Sequence, residues 1–159
     1  MSTEVSNQGY LAVQIEPMRV RDLDGVLSIE RVSFPTPWSR YAFLTELLEN
    51  DRAYYSVART RERKLVGYIG MWLVLDEGHI TTIAVHPAYR GRGIGRQLLE
   101  TMEAIGRARD MHRVTLEVRV SNTVAHGLYQ KMGFSDAGIR PGYYRDNNED
   151  AMIMWKELF

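Results

Sequence analysis

The sequence predicts a single α+β domain in which helices flank a mixed, mostly antiparallel sheet. Short β segments separated by tight turns follow one another between residues 53 and 85, which is typical of an antiparallel meander. A long amphipathic helix then lies between two β-branched segments, and a strand-helix-strand unit of this kind predicts one parallel pair. The length of 159 residues suits one domain with a full core.

Composition excludes several classes of function. The 20 basic and 20 acidic side chains balance, so no global charge favours nucleic acid or an anionic membrane as a partner. The chain has no cysteine, which excludes disulfides, thiolate metal sites and a cysteine nucleophile. The polar, acidic start lacks a signal-peptide pattern and predicts a loose arm over residues 1–9, followed by the domain over 10–159. We expect a cytoplasmic protein.

The first part of the domain predicts one strand and two helices. Residues 11–18 alternate between apolar and polar side chains and predict a strand that Pro17 stops. Asp22 can cap a helix, and Ser39 can cap the next one after a rigid turn that contains two prolines. The expected core positions of these two helices are Leu23, Val26, Leu27, Ile29, Phe43, Leu44, Leu47 and Leu48.

The remaining elements follow from the same patterns. Strands are predicted over residues 53–59, 64–75 and 79–85, with turns at 60–63 and 76–78. A helix follows residue 93, a strand covers 113–118, and a helix over 123–131 points Val124 and Leu128 inward and has Gly133 as its C′ residue. Two last strands are predicted over 135–140 and 151–157. The buried stripe of the long helix is Ile94, Leu98, Leu99, Met102 and Ile105.

A glycine-rich loop joins the strand that ends at Val85 to the long helix. Its glycines alternate with basic side chains, in the order Arg90, Gly91, Arg92, Gly93, Ile94, Gly95 and Arg96. Backbone N–H groups of such a turn and of the first helical turn converge on one concavity, which predicts a phosphate site. A Rossmann fingerprint needs glycine at position 96, and a Walker A loop needs a Gly-Lys-Ser/Thr ending. Both of these phosphate motifs are therefore excluded.

The loop is similar to the Arg/Gln-x-x-Gly-x-Gly/Ala motif of GNAT-superfamily N-acetyltransferases. Four further stretches resemble the bacterial RimI-type ribosomal-protein-alanine N-acetyltransferases: Phe34 with residues 37–39, residues 116–122, residues 125–134, and the pair at 143–144 followed by residues 149–154. The resemblance implies a GNAT fold with splayed central strands and acetyl-CoA as co-substrate. It also implies that backbone groups hold this co-substrate, namely those of Ile83, Ala84, Val85, Gly91, Arg92, Gly93, Ile94, Gly95 and Arg96, beside Arg90.

The resemblance also implies two catalytic residues. Glu117 matches the position of a general base and Tyr129 that of the general acid, which also contacts the co-substrate. Asn122 either contacts the pantetheine arm or only caps its helix, and the N–H of Val85 is an oxyanion donor candidate. An α-amine with a pKa near ~8 is roughly a tenth neutral at pH 7, whereas lysine is neutral only to about one part in a few thousand. An N-terminal amine therefore needs little help from a base. Without cysteine, we expect direct attack in a ternary complex.

Aromatic residues in two predicted loops are the candidates for substrate binding. In the enzymes that the chain resembles, these loops frame the peptide groove, which here implicates Trp38, Tyr143 and Tyr144. Phe34 is expected to pin the first two helices together. Glu149 and Asp150 either attract a basic peptide or are ordinary turn residues. The four histidines, at positions 79, 86, 112 and 126, lack metal-ligand spacing, so we expect no metal and a surface or structural role for each.

The leading hypothesis is therefore acetylation of a protein N-terminal α-amine, with alanine of a small-subunit ribosomal protein as substrate. A GNAT enzyme that acts on lysine side chains or on a small-molecule amine is the alternative within enzymes. A non-catalytic acetyl-CoA-binding module is the alternative of another class. No direct nucleic-acid or membrane partner is expected, and the oligomeric state is open.

Overall fold

The computed structural model describes residues 9–159. Its seven strands have the order β1-β2-β3-β4-β5-β7-β6, and it contains four α-helices and two 3₁₀ turns (Val20–Asp22 and Pro87–Tyr89). The strands are β1 Gln14–Pro17, β2 Ala53–Arg59, β3 Leu65–Val74, β4 Glu77–Val85, β5 Arg113–Arg119, β6 Ser135–Tyr144 and β7 Glu149–Glu157. The helices are α1 Leu23–Ser33, α2 Arg40–Leu48, α3 Ile94–Ala108 and α4 Thr123–Lys131. The predicted arm lies outside the described residues except for Gly9.

The described chain forms two compact units. The first contains the residues up to 70 together with 82–101, and the second contains 71–81 and 102–159. No helix within residues 9–159 is long and apolar enough to cross a membrane.

The core of the first unit lies between α1, α2 and the strands. All four apolar positions predicted for α1 are buried, and Phe43 of α2 packs edge-on against Tyr55 and Tyr68 with ring centroids 6.3 and 6.0 Å apart. Such aromatic pairs add about 0.5–1.5 kcal/mol to the free energy of burial. Leu48 was predicted in this core, but it is the last residue of α2 and is 68% exposed.

The two predicted caps have different outcomes. Ser39 caps α2 as predicted, since its Oγ accepts a hydrogen bond from the Ala42 N–H at 3.2 Å. Asp22 occupies the N-cap position of α1, but its carboxylate accepts the Arg19 N–H at 2.8 Å and pairs with Arg59 instead of capping the helix. The prediction of Asp22 as the N-cap residue is therefore confirmed, and the prediction that its side chain caps the helix is wrong.

The segment of residues 9–13 is here called the clasp segment, and its residues 11–13 were predicted as the start of a strand. In the structure β1 begins only at Gln14, where it pairs antiparallel with β2. The clasp segment instead bonds to the glycine loop and α3: Leu11 N–H donates to the Arg92 carbonyl at 2.9 Å, and Val13 N–H donates to Gln97 Oε1 at 3.0 Å. Gln97 Nε2 returns a bond to the Leu11 carbonyl at 2.8 Å. An alternation of apolar and polar side chains does not show whether the backbone bonds to a neighbouring strand or, as here, to a loop and a helix.

The second unit is organised around β5. This strand pairs antiparallel with β7 along its whole length, from Arg113 opposite Glu157 to Arg119 opposite Ala151. On its other side it pairs in parallel with β4, but over only three residues of each strand, Glu77–His79 with Arg113–Thr115. The predicted parallel pair is therefore confirmed. The preceding turn lies at residues 75–76 rather than 76–78, so that β4 begins two residues earlier than predicted.

The end of the chain differs from the prediction in two places. Helix α4 has the predicted bounds and Gly133 has a φ of +97°, but Val124, predicted to point inward, is 84% exposed. Strand β6 was predicted to stop at Arg140 and extends to Tyr144, through Pro141 and Gly142. Proline is tolerated there because β6 is an edge strand, and the register with β7 shifts between Arg140 and Tyr144.

Candidate active site

The glycine loop has the backbone that a phosphate site requires. Gly91 and Gly93 have φ values of +76° and +81°, in the left-handed region that favours glycine. The Gln97 N–H donates to the Gly93 carbonyl at 3.2 Å, so that α3 starts directly after the loop. The preceding N–H groups of Ile94, Gly95 and Arg96 have no acceptor within the helix. A Cβ on Gly91 would meet no atom within 4 Å, which leaves this backbone open to a ligand.

Two arginines of the loop brace the backbone. The Arg90 guanidinium donates from Nε to the Val85 carbonyl at 2.9 Å and from Nη2 to Ser33 Oγ at 3.1 Å. Arg92 Nε donates to the Gly9 carbonyl at 3.1 Å. These bonds fix the shape of the loop. In the strand before the loop, Ala84 is buried, whereas Ile83 and Val85 are partly exposed.

A buried carboxylate holds the turn that carries Trp38. Glu30 is 2% exposed; its Oε2 accepts the Trp38 N–H at 2.9 Å, and its Oε1 accepts the Tyr68 hydroxyl. Burial raises the pKa of Glu30. The Trp38 ring also tilts against Phe43 with centroids 5.1 Å apart, and Phe34 packs on the same core as expected. Trp38 is therefore fixed in a loop, half-buried.

Glu117 lies on β5 with its side chain only 11% exposed. Its Oε2 is 2.7 Å from His79 Nε2, and its Oε1 is 3.7 Å from Arg140 Nε. Sequence reasoning did not associate His79 with this carboxylate. The signal was present in the parallel pairing: His79 lies opposite Thr115, and Glu117 shares the face of Thr115 because strand side chains alternate.

Tyr129 lies on α4 and is 7% exposed, with its ring 6.0 Å from that of Phe134. Burial raises the pKa of Tyr129 to about 12, so the phenol keeps its proton at neutral pH. At the start of the same helix, Asn122 Oδ1 accepts the Ala125 N–H at 3.1 Å. Asn122 is therefore a helix cap, and a contact with pantetheine stays a prediction.

Tyr143 and Tyr144 lie at the end of β6 rather than in a loop. Their rings form an edge-to-face pair with centroids 5.1 Å apart. Burial, and then the charge of Glu117, raises the pKa of Tyr143, so this phenol lies within the field of the candidate base. The Arg119 guanidinium covers the Tyr144 ring at 4.0 Å. This pair of tyrosines therefore belongs to the surroundings of Glu117.

Glu149 and Asp150 act as structural residues of the last turn. Glu149 Oε2 accepts the Ser121 N–H at 2.8 Å, and its Oε1 lies 3.3 Å from Arg119. Hydrogen bonds from Ser121 lower the pKa of Glu149 to about 2. Asp150 Oδ1 accepts the Gly142 N–H at 2.8 Å. These contacts favour the interpretation of Glu149 and Asp150 as ordinary turn residues over attraction of a basic peptide.

Within residues 9–159, no group of three or more potential ligands could hold a metal ion.

Comparison with known proteins identifies the family. The model of the acetyltransferase (GNAT) family matches residues 23–134. The chain is 36% identical over 142 residues to the [ribosomal protein bS18]-alanine N-acetyltransferase of Escherichia coli K12, covering 88% of this chain and 94% of the relative. It is 46% identical over 141 residues to a Bacillus subtilis protein provisionally given the same name, covering 89% and 93%.

Solved structures agree with the sequence comparison. The crystal structure of the ribosomal-protein-S18-alanine N-acetyltransferase from Escherichia coli matches with a TM-score of 0.83 and 34% identity, covering 92% of this chain and 94% of that one. Ard1 from Thermoplasma volcanium matches with a TM-score of 0.82 and 26% identity, covering 94% and 99%. The family resemblance and the fold class are confirmed, and the chain belongs to the GNAT family of acetyltransferases.

Proposed function

We propose that this protein transfers the acetyl group of acetyl-CoA to the N-terminal α-amine of a protein, by direct attack in a ternary complex. The likeness over nearly the whole chain to the Escherichia coli bS18-alanine N-acetyltransferase carries this proposal and favours an N-terminal alanine of a small-subunit ribosomal protein. Such a substrate would make the cytoplasm the site of action.

The residues of the glycine loop fit the pyrophosphate of coenzyme A. The loop offers N–H groups at a helix N-terminus, and the open backbone at Gly91 leaves room for a bulky anion. When bound, acetyl-CoA supplies the thioester that the amine attacks. Ile83, Ala84 and Val85 would hold the acyl arm through their backbone, and the Val85 N–H is the candidate donor to the developing oxyanion.

Glu117 and Tyr129 divide the proton transfers. The Glu117 carboxylate accepts one proton from the substrate ammonium, and the neutral amine forms the C–N bond to the acetyl carbonyl carbon. As the C–S bond breaks, Tyr129 donates its phenolic proton to the departing sulfur, and its raised pKa keeps this proton available. The second proton of the nitrogen then returns to the Tyr129 phenolate, which leaves the amide and the thiol of coenzyme A, and Glu117 releases its proton to solvent. Trp38, Tyr143 and Tyr144 are the candidates for binding the peptide.

The test offers acetyl-CoA with three acceptors: a peptide that begins with alanine, the same peptide with a blocked N-terminus and an internal lysine, and spermidine. We expect turnover on the first. Glu117→Gln should lower kcat by about 10²- to 10⁴-fold, as for loss of a general base. Glu157→Gln is the control, since Glu157 is on β7, opposite the first residue of β5, and its carboxylate is 54% exposed beside Arg113.

Other outcomes would contradict the proposal in distinct ways. Turnover on lysine or spermidine alone would favour the enzyme alternatives. Binding of acetyl-CoA without turnover on any amine would favour a non-catalytic module. An unchanged rate in Glu117→Gln, with turnover on the alanine peptide, would refute the role of Glu117 while leaving the substrate assignment intact.

A further inference from the structure

The two oxygens of Glu117 have different partners. Oε2 is 2.7 Å from His79 Nε2, which is a short hydrogen bond. Oε1 faces Arg140, whose Nε at 3.7 Å is too distant for a hydrogen bond. The side chains of His79 and Glu117 are 27% and 11% exposed, so the pair is largely buried but still in contact with solvent. One oxygen is therefore committed to the imidazole, and the other faces an exposed arginine that can move.

The carboxylate determines which histidine nitrogen carries the proton. An ionised carboxylate only accepts hydrogen bonds, so Nε2 must carry the hydrogen, and in the neutral ring Nδ1 is left unprotonated. The neutral imidazole can therefore donate its Nε2 hydrogen to Glu117 while Nδ1 remains an acceptor.

The other groups around His79 come from several strands. The indole of Trp72 on β3 lies edge-on, with centroids 6.4 Å apart. Arg140 and Tyr143 on β6 are near Glu117. Two residues back on β4, Glu77 is 3.7 Å from Arg113 of β5. Among these described neighbours, Glu117 is the carboxylate in direct contact with the imidazole.

We propose that neutral His79 is the positioning residue for Glu117, holding its carboxylate so that Oε1 takes the proton from the substrate ammonium. This inference rests on the proposed function, in which Glu117 is the base. A neutral donor fixes the carboxylate through one hydrogen bond and adds no positive charge that would repel the substrate ammonium. Neutral His79 therefore leaves the second oxygen of Glu117 available for the proton.

The experiment compares three variants at about pH 8, with the alanine peptide as acceptor. His79→Gln keeps an N–H donor, whereas His79→Ala removes the donor. His126→Gln is the matched control, because His126 Nε2 also lies 2.7 Å from a carboxylate, that of Asp136, and is 29% exposed. Thermal melting checks that each variant is folded.

The pattern of kcat among the variants distinguishes a positioning role from a purely structural one. His126→Gln should have the kcat of wild type to within about twofold. His79→Gln should stay within about threefold of wild type, because its amide N–H replaces the imidazole donor. His79→Ala should lose about tenfold or more in kcat at pH 8, with an unchanged Kd for acetyl-CoA.

Failure of this role and failure of the function give different results. Wild-type turnover with an unchanged kcat in His79→Ala, or with the same loss of kcat in His79→Gln as in His79→Ala, would overturn the role of His79 alone. Absence of wild-type turnover on the alanine peptide would overturn the function and with it this role. A ¹⁵N NMR spectrum adds a readout that does not depend on activity: a His79 ring protonated at Nδ1 rather than Nε2 at pH 8 would also overturn the proposal.

Discussion

Burial controls the proton affinity of Tyr129, and this has a consequence for the pH dependence of catalysis. A phenol whose pKa is raised to about 12 stays protonated throughout the usual assay range. We expect Tyr129→Phe to lower kcat by about 10²-fold or more. The ratio of the two rates should stay constant between about pH 7 and 10.5, because the acid form persists until the pH approaches the raised pKa.

The measurement is kcat at saturating acetyl-CoA and peptide, with Tyr41→Phe as control because Tyr41 is 77% exposed on α2. If the ratio between wild type and Tyr129→Phe fell steadily above about pH 9, the phenol would be ionising near its ordinary value. That result would contradict the proposed role of Tyr129 as a buried general acid.

Individual residues differ in how far the sequence could identify them. Glu117 and Tyr129 were selected because they match a motif, and the structure adds their burial and contacts. His79 was given a surface or structural role because the histidines lack metal-ligand spacing. Its contact with Glu117 depends on the register between β4 and β5, and β5 begins at Arg113, 34 residues after His79. Such a register cannot be read from local pattern.

At the level of elements, the glycine loop provides a matched pair of substitutions. Gly91→Ala places a methyl group in open space on the proposed phosphate face, at a φ of +76° that costs about 1–2 kcal/mol. Gly127→Ala, in α4, also meets no atom within 4 Å but has no positive φ, so it should stabilise the protein by up to about 1 kcal/mol. Only the first should weaken acetyl-CoA binding.

Isothermal titration calorimetry with acetyl-CoA and thermal melting test this pair. We expect the Kd to rise about tenfold or more in Gly91→Ala, because a methyl group keeps the anion away from the N–H groups. The Kd of Gly127→Ala should be unchanged. Equal affinities for all three proteins would show that the phosphate does not approach Gly91.

Elements with strong periodic patterns were predicted well. The bounds of α4 were correct and the buried positions of α1 were all found, because a stripe of apolar side chains on one face of a helix packs against the core. The predictions failed where the hydrogen-bonding partner of a segment is distant in the sequence. The clasp segment alternates like a strand but bonds to Gln97, and β6 continues through Pro141 because an edge position tolerates a missing donor.

For the whole molecule, binding of acetyl-CoA should raise thermal stability by mass action. At a ligand concentration of 100 times Kd the gain is about 2.7 kcal/mol. For a chain of this size, a shift of roughly 2–4 °C per kcal/mol makes the expected rise in Tm about 5–10 °C. S-acetylpantetheine, which lacks the pyrophosphate, should give a much smaller shift at the same concentration. Equal shifts would contradict phosphate binding by the glycine loop.

The clasp segment has a practical consequence for how the protein is handled. Gly9 and Leu11 bond directly to Arg92, and a Cβ at Gly93 would lie 2.7 Å from the ring of Tyr10. An affinity tag or fluorescent fusion attached ahead of Gly9 is therefore tethered beside the loop that is proposed to bind the donor. Phe159, at the other end of the chain, is 76% exposed. Fusions for binding assays belong at that end.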